Sequence, residues 1–159
     1  NLKQKYENIR LLIAGGGELD RESQKILSSR NPVDIIFLGE VTELQKKNLF
    51  NKAHIFCAPS TGQESFGIVL LESMRSETCL VATNIEGYKN VVQHMNQGLL
   101  SDPKNVSSLQ KNLEMLINNE KLRKQLGANG LKSVQKYDWN LVSRDVLSFY
   151  RELILERRI

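Results

Sequence analysis

Short apolar runs separated by polar, helix-periodic stretches organise the first hundred residues of this chain. The runs at Arg10–Ala14, Ile35–Leu38, His54–Ala58 and Cys79–Ala82, with a shorter one at Gly98–Leu100, predict strands. Between them the spacing predicts helices at Asp20–Ser29, Glu43–Lys52, Gly67–Arg75 and Tyr88–Gln93. Thr42 stands where an N-cap belongs, with an acid, Glu43, in the first turn. Apolar strands that alternate with helices imply a parallel sheet covered on both faces. The fold class is therefore α/β: a Rossmann-like three-layer domain whose ligands bind at the carboxyl ends of the strands.

After Asp102-Pro103 the pattern turns wholly helical. Val106, Leu109, Leu113, Leu116 and Ile117 recur at helical spacing, then Leu122, Leu126, Leu131 and Val134. Asp138 is placed to cap a third run through Val142, Val146, Phe149 and Leu153, with Trp139 read as packing in a core or at a domain junction. There is no internal repeat or low-complexity tract, so residues 1–159 read as one domain with a helical C-terminal extension. No initiator Met or leader-like apolar segment opens the sequence, and a strand is expected almost at once, as in a piece of a longer chain.

Composition narrows the function classes. At 40% apolar residues and with no stretch near the ~20 residues of a membrane span, the chain reads as soluble. Cys57 and Cys79 fall in predicted core strands without framework spacing, which suits free thiols in a reducing cytoplasm and argues against a disulfide or a metal site. His54 and His94 flank no Cys or Asp cluster and read as surface or strand-edge residues. Residues 103–159 carry 11 basic and 6 acidic side chains, whereas 1–102 are nearly balanced. That excess is read as a solvated helical surface, with weak attraction to anionic headgroups as the alternative. Nucleic acid is not expected as a partner.

The candidate chemistry centres on Glu64 and Glu72. Ser60 to Gln63 read as a polar loop after the third strand, and Phe66 to Met74 as a helix, so one carboxylate sits in the loop and the other inside the helix. At roughly 1.5 Å of rise per residue, Glu72 lies about 7–8 Å along the axis from the amide of Gly67. A sugar, a diphosphate and a ribose laid over the helix start span that scale, with the free first-turn amides facing the phosphates. The apolar run Ile68 to Leu71 implies a largely buried helix, which points Glu72 at a cleft or partner. The alternative is a solvated loop acid and a surface helix acid. A glycosidase would need the two carboxyls to face each other about 5–10 Å apart. Gly15, Gly16 and Gly17 follow the first strand as a phosphate-approaching loop would, or as a plain tight turn; Asp20 occupies the third position of the dinucleotide fingerprint, which the loop therefore fits poorly. Gly39-Glu40-Val41 ends the second strand.

The motif Pro59-Ser60-x-x-x-Glu64-Ser65-Phe66-Gly67-x-x-x-Leu71-Glu72-x-Met74, after Gly15-Gly-Gly and Phe37-Leu-Gly, resembles the donor-binding half of a retaining glycosyltransferase of the GT-B fold, family GT4. It is most similar to the branch holding phosphatidylinositol mannosyltransferases and related hexosyltransferases. The resemblance runs from Asn8 to about Tyr150. It implies a metal-independent hexosyltransferase without a cofactor, using a nucleoside diphosphate sugar as donor. By resemblance, Glu64 orients the transferred sugar and stabilises charge near its anomeric carbon. Ser65, Phe66, Gly67 and Ile68 cradle phosphate and sugar, with Phe66 burying itself to pin the turn. Glu72 grips the ribose, the backbone at Val41 meets the base, and the Gly15–Gly17 loop lines the donor cleft. Leu141–Ile154 resembles the terminal helix that crosses to the other domain.

The chain departs from the family pattern at two points. Glu77 replaces a glycine expected at a helix C-terminus, and Gly87-Tyr88-Lys89-Asn90 has Asn where Glu is frequent. The diphosphate-binding Arg and Lys of the family, and its acceptor-binding domain, belong to sequence upstream of Asn1. Partners implied are the nucleotide sugar, that N-terminal acceptor domain and, weakly, a membrane surface; localisation is cytoplasmic or peripheral to the membrane. Two rivals stay open: half of a GT-B epimerase or phosphorylase, and a catalytically silent Rossmann-like binding module.

Overall fold

The computed structural model describes residues 2–30 and 34–156. The chain forms two compact units, Asn1–Lys52 and Ala53–Ile159.

The first unit opens with one helical turn, α1 (Leu2–Lys5), where a strand was expected almost immediately. Strand β1 (Leu11–Ala14) then pairs in parallel with β2 (Ile35–Gly39), Leu11 opposite Ile35 and Ile13 opposite Phe37, with an irregularity between Ile13 and Ala14. Helix α2 (Arg21–Arg30) is capped by Asp20, which accepts from the Ser23 amide at 2.7 Å. That bond and the Ser23 hydroxyl hold the Asp20 carboxyl below its ordinary pKa. Helix α3 (Glu43–Lys52) begins as the sequence indicated: the Thr42 amide donates to Gln45 Oε1 at 2.8 Å and the Gln45 amide to Thr42 Oγ1 at 3.3 Å, a reciprocal capping box. The sheet of this unit is not covered as a buried parallel sheet would be, since Leu11 is 49% and Phe37 47% exposed. The physical reason lies in α2 and α3, which carry few apolar side chains; among them Phe50 is buried, while Ile26 and Leu44 are exposed.

The second unit holds a three-stranded parallel sheet in the order β3 (Phe56–Ala58), β4 (Leu80–Thr83), β5 (Gly98–Ser101). Here the expected double covering is present. Successive side chains of β4 point to opposite faces. Leu80 and Ala82 pack with Ala58, Val91, Val92, and Leu70 and Met74 of α4 (Ile68–Arg75). Cys79, Val81 and Leu99 pack with Leu116 of α6 (Val106–Ile117) and Leu126 of α7 (Glu120–Val134). Buried Asn112 ties α6 to the end of β5, donating to the Leu100 carbonyl at 3.0 Å and to Ser101 Oγ at 2.8 Å. Arg123 Nη1 caps the end of α6 through the carbonyls of Leu116 (2.5 Å) and Ile117 (3.0 Å), so this cation is not simply solvated.

Helix α5 covers Glu86–Lys89, earlier than the expected Tyr88–Gln93, because Val91 and Val92 leave the helix to enter the core. Cys57 and Cys79 are free thiols, and Cys79 donates to the His54 carbonyl at 3.2 Å. His94 does sit at a strand edge, bridging Gly98 and accepting from the Leu100 amide at 2.9 Å. Helix α8 (Trp139–Glu156) is capped by Asp138, which accepts from the Asn140 amide at 2.8 Å, and it buries no residue. Trp139 is 81% exposed and so belongs to no core of this chain.

Candidate functional site

At the carboxyl end of β3 the chain enters a loop, Pro59–Phe66, that is fastened from below by β4 and α5. The Thr83 hydroxyl donates to the Ser60 carbonyl, and the Tyr88 hydroxyl donates to Ser60 Oγ at 3.2 Å. These two bonds fix the start of the loop. Its end is fixed by contact: a Cβ on Gly87 would lie 2.2 Å from the Glu64 carbonyl oxygen, so the backbone of Glu64 and Ser65 rests directly on that glycine.

Gly67 is the N-cap of α4, at φ 78° and ψ 56°, in the left-handed region that disfavours side chains. A Cβ there would also lie 2.6 Å from the Tyr88 ring, so glycine is required twice over. The Leu70 amide turns back to the Gly67 carbonyl at 2.9 Å, while those of Ile68 and Val69 lie in the first turn, before any intrahelical acceptor. That turn faces outward. Ile68 is 65% exposed, Ser65 and Glu64 are exposed, and Glu72 is half-buried one turn further on.

Phe66 does not bury itself to pin the turn. It is 39% exposed and meets Tyr137 edge-on at 5.7 Å between ring centres. The space under the turn is already filled by Tyr88, which is 1% exposed. Burial holds the Tyr88 phenol above its ordinary pKa; the bond to Ser60 pulls it down and the negative charge of the Glu64 carboxylate raises it.

The far end of α4 settles the question raised by Glu77. Its φ of 56° is left-handed, its amide donates to the Met74 carbonyl at 3.0 Å, and the Thr78 amide reaches Ser73 at 3.1 Å. This is a Schellman turn built on a non-glycine residue. Gly127 of α7 packs on it, since a Cβ there would meet the Glu77 carbonyl oxygen at 2.2 Å.

The other predicted residues lie in the first unit, in the loops that follow β1 and β2. The Gly15 amide donates to the Gly39 carbonyl at 2.8 Å, and the Glu40 side chain lies over Gly16, its Oε1 2.8 Å from where a Cβ would stand. Gly15 and Gly17 have left-handed φ values of 142° and 103°. Val41 follows as the residue before the Thr42 cap.

Sequence reasoning missed Ser60, Thr83, Gly87 and Tyr88 as the supports of the Glu64 loop. The available signal was Glu86-Gly87-Tyr88 just beyond the end of the strand next to β3, a glycine and an aromatic one strand over from the site. Among the described residues, no three His, Cys, Asp or Glu side chains are grouped as metal ligands would be.

A parallel α/β chain with an exposed helix start at a strand's carboxyl end, flanked by two acids, falls in the class of GT-B glycosyltransferase folds. The sucrose-phosphate synthase of Thermosynechococcus elongatus matches it with a TM-score of 0.82 at 23% identity, over 92% of this chain and 39% of that one. Anabaena HepE, solved in complex with UDP and glucose, matches with a TM-score of 0.82 at 19% identity, over 94% of this chain and 42% of that one. In sequence, a phosphatidyl-myo-inositol mannosyltransferase of Mycobacterium tuberculosis is 32% identical over 151 residues, 92% of this chain and 39% of that protein. The sequence model for glycosyl transferases group 1 matches residues 1–133, and the chain belongs to that family. It spans well under half the length of these relatives.

Proposed function

We propose that this chain is the donor-binding half of a retaining glycosyltransferase that moves a hexose from a nucleoside diphosphate sugar to an acceptor hydroxyl. The observation that carries the reading is the left-handed Gly67 cap, which leaves the outward first turn of α4 between exposed Glu64 and half-buried Glu72. The Ile68 and Val69 amides and the positive helix end would receive the diphosphate and stabilise it as it leaves, the part a metal takes elsewhere. Glu64, in the loop, would orient the sugar and face the charge that develops at the anomeric carbon. Glu72 would accept from the ribose hydroxyls. In the first unit, the Gly15–Gly17 loop and the backbone at Val41 would serve the nucleotide.

The acceptor-binding half, as a partner domain, would lie outside these 159 residues. Alone, the chain would bind donor weakly and turn nothing over. A cytoplasmic setting with weak membrane-surface attraction through the basic C-terminal helices belongs to the same reading; among the described residues, no helix is long and apolar enough to cross a membrane. HepE was solved with UDP and glucose, which favours a nucleotide-sugar ligand for a chain of the same fold.

The test is amide-detected NMR titration with UDP, GDP, UDP-glucose and GDP-mannose. At least one should shift the Ile68 and Val69 amides at millimolar concentration or below. Glu72→Gln should weaken the bare nucleotide roughly tenfold, while Glu64→Gln should weaken only the sugar-bearing form. No response from the wild-type chain to any of the four would leave a silent binding module as the reading.

A further inference from the structure

Phe66 stands one residue before the Gly67 cap, and the ring that meets it comes from far along the chain. Its partner is Tyr137, at 5.7 Å between ring centres with the two planes at 78°. An edge-on pair of this kind is directional, because the edge and the face of an aromatic ring carry opposite partial charge. Tyr137 is itself restrained. It ends the short 3₁₀ turn Gln135–Tyr137, which the Asp138 amide closes by donating to the Gln135 carbonyl at 3.1 Å. Lys136 Nζ stands over its ring at 4.9 Å.

The packing of α7 on α4 brings Tyr137 to this place. The close contacts run antiparallel: Gly127 meets the Glu77 carbonyl beyond the end of α4, and Gly130 meets Met74, whose Cγ would lie 3.1 Å from an added Cβ. Further along α7, Val134 packs on the cluster that holds Leu70 and Met74. Tyr137 follows within one more turn and so comes level with the start of α4. From the other side, Gly87 fixes the backbone of Glu64 and Ser65, and the Tyr88 ring fixes Gly67. Phe66 is the residue between these two supports, and its ring is the handle by which Tyr137 holds it.

We propose that Tyr137 is a positioning residue for the diphosphate: by holding the Phe66 ring edge-on, it sets the backbone that leads into the Gly67 cap and so the aim of the Ile68 and Val69 amides. This rests on the donor-binding reading above and deepens it. Tyr137 acts through Phe66 and not by contact with the nucleotide. Loss of its ring therefore weakens bare nucleotide and nucleotide sugar by the same factor, because both carry the diphosphate.

The experiment uses the whole chain and measures affinity for UDP, UDP-glucose, GDP and GDP-mannose in wild type, Tyr137→Leu, Tyr137→Phe, Phe66→Leu and the double leucine variant. Tyr137→Leu should weaken every ligand that the wild type binds by roughly two- to tenfold, the range of an aromatic pair. Tyr137→Phe keeps the ring and should bind as wild type does. Phe66→Leu should weaken the same ligands to the same degree, and adding Tyr137→Leu to it should change nothing further. A merely structural Tyr137 would behave otherwise, lowering the unfolding midpoint while sparing affinity, or keeping its effect on affinity without Phe66. Either result overturns the proposal. So does a loss confined to the sugar-bearing ligands, a Tyr137→Phe chain that stays weak, a Phe66→Leu loss far beyond that of Tyr137→Leu, or a Tyr137→Leu chain that does not fold. If the wild type binds none of the four ligands, the donor-binding reading fails and this inference with it; wild-type binding that Tyr137→Leu leaves unchanged sinks this inference alone.

Discussion

Gly87→Ala is the sharpest test of how the site loop is held. The added methyl would lie 2.2 Å from the Glu64 carbonyl oxygen and 2.9 Å from the carbonyl carbons of Glu64 and Ser65. These are backbone atoms, so no side-chain rotation relieves the clash. Restoring ordinary contact requires the loop to retreat by about 1 Å. Overpacking of this kind costs roughly 1–3 kcal/mol. Alanine in a helix returns about 0.5–1 kcal/mol of that, which leaves a net loss of roughly 0.5–2 kcal/mol and a midpoint lower by a few degrees. On the proposed role of Glu64 the functional effect should be larger, because a displacement of about 1 Å would take its carboxylate out of reach of the sugar. Nucleotide-sugar affinity, read by NMR titration, should drop at least tenfold. Gly127→Ala is the matched control: its methyl meets the Glu77 carbonyl oxygen at the same 2.2 Å, but at the opposite end of α4. It should lower the midpoint and spare binding. If Gly87→Ala binds as wild type does, or Gly127→Ala loses binding equally, the loop is not set by this contact.

Other perturbations probe the fold. Glu77→Gly should stabilise by about 0.5–1 kcal/mol, since a left-handed non-glycine residue costs roughly 1–2 kcal/mol and glycine's unfolded-state entropy takes part of that back; a lower unfolding midpoint would contradict it. Burial pushes the Cys57 thiol up to about 11 and that of Cys79 up to about 12. Folded pKa values above the unfolded ones mean that this stability is complete below the ordinary thiol pKa and is lost as pH rises from about 9 toward those values. The unfolding midpoint should decline over that range, less steeply in Cys79→Ala; identical slopes would exclude the thiol. Thr42→Ala removes one half of the capping box and should cost about 0.5–2 kcal/mol in the first unit, measured as lost amide-exchange protection in α3.

Several features were legible because they are local. The Thr42 and Asp138 caps, the strand cores and the helical turn after Pro103 depend on neighbours within a few residues, which pattern and capping chemistry report directly. The αL position at Glu77 was legible for the same reason, since a helix C-terminus imposes its backbone on whatever residue falls there. Phe66 and α5 were misjudged because each depended on a competitor distant in sequence. Tyr88 had already taken the space that Phe66 was expected to fill, and the sheet drew Val91 and Val92 out of the helix.

Residue order alone thus determined the alternation of strand and helix, the helix start at Gly67 and the eight-residue offset of Glu64 from Glu72, all consequences of short-range backbone preference and hydrophobic period. Only tertiary structure decided that a glycine and a tyrosine some twenty residues downstream would support that offset. Parallel pairing of β3 with β4 brings the ends of two strands side by side. Which side chains then meet follows from packing across the gap between them, a non-local outcome that no stretch of sequence encodes by itself.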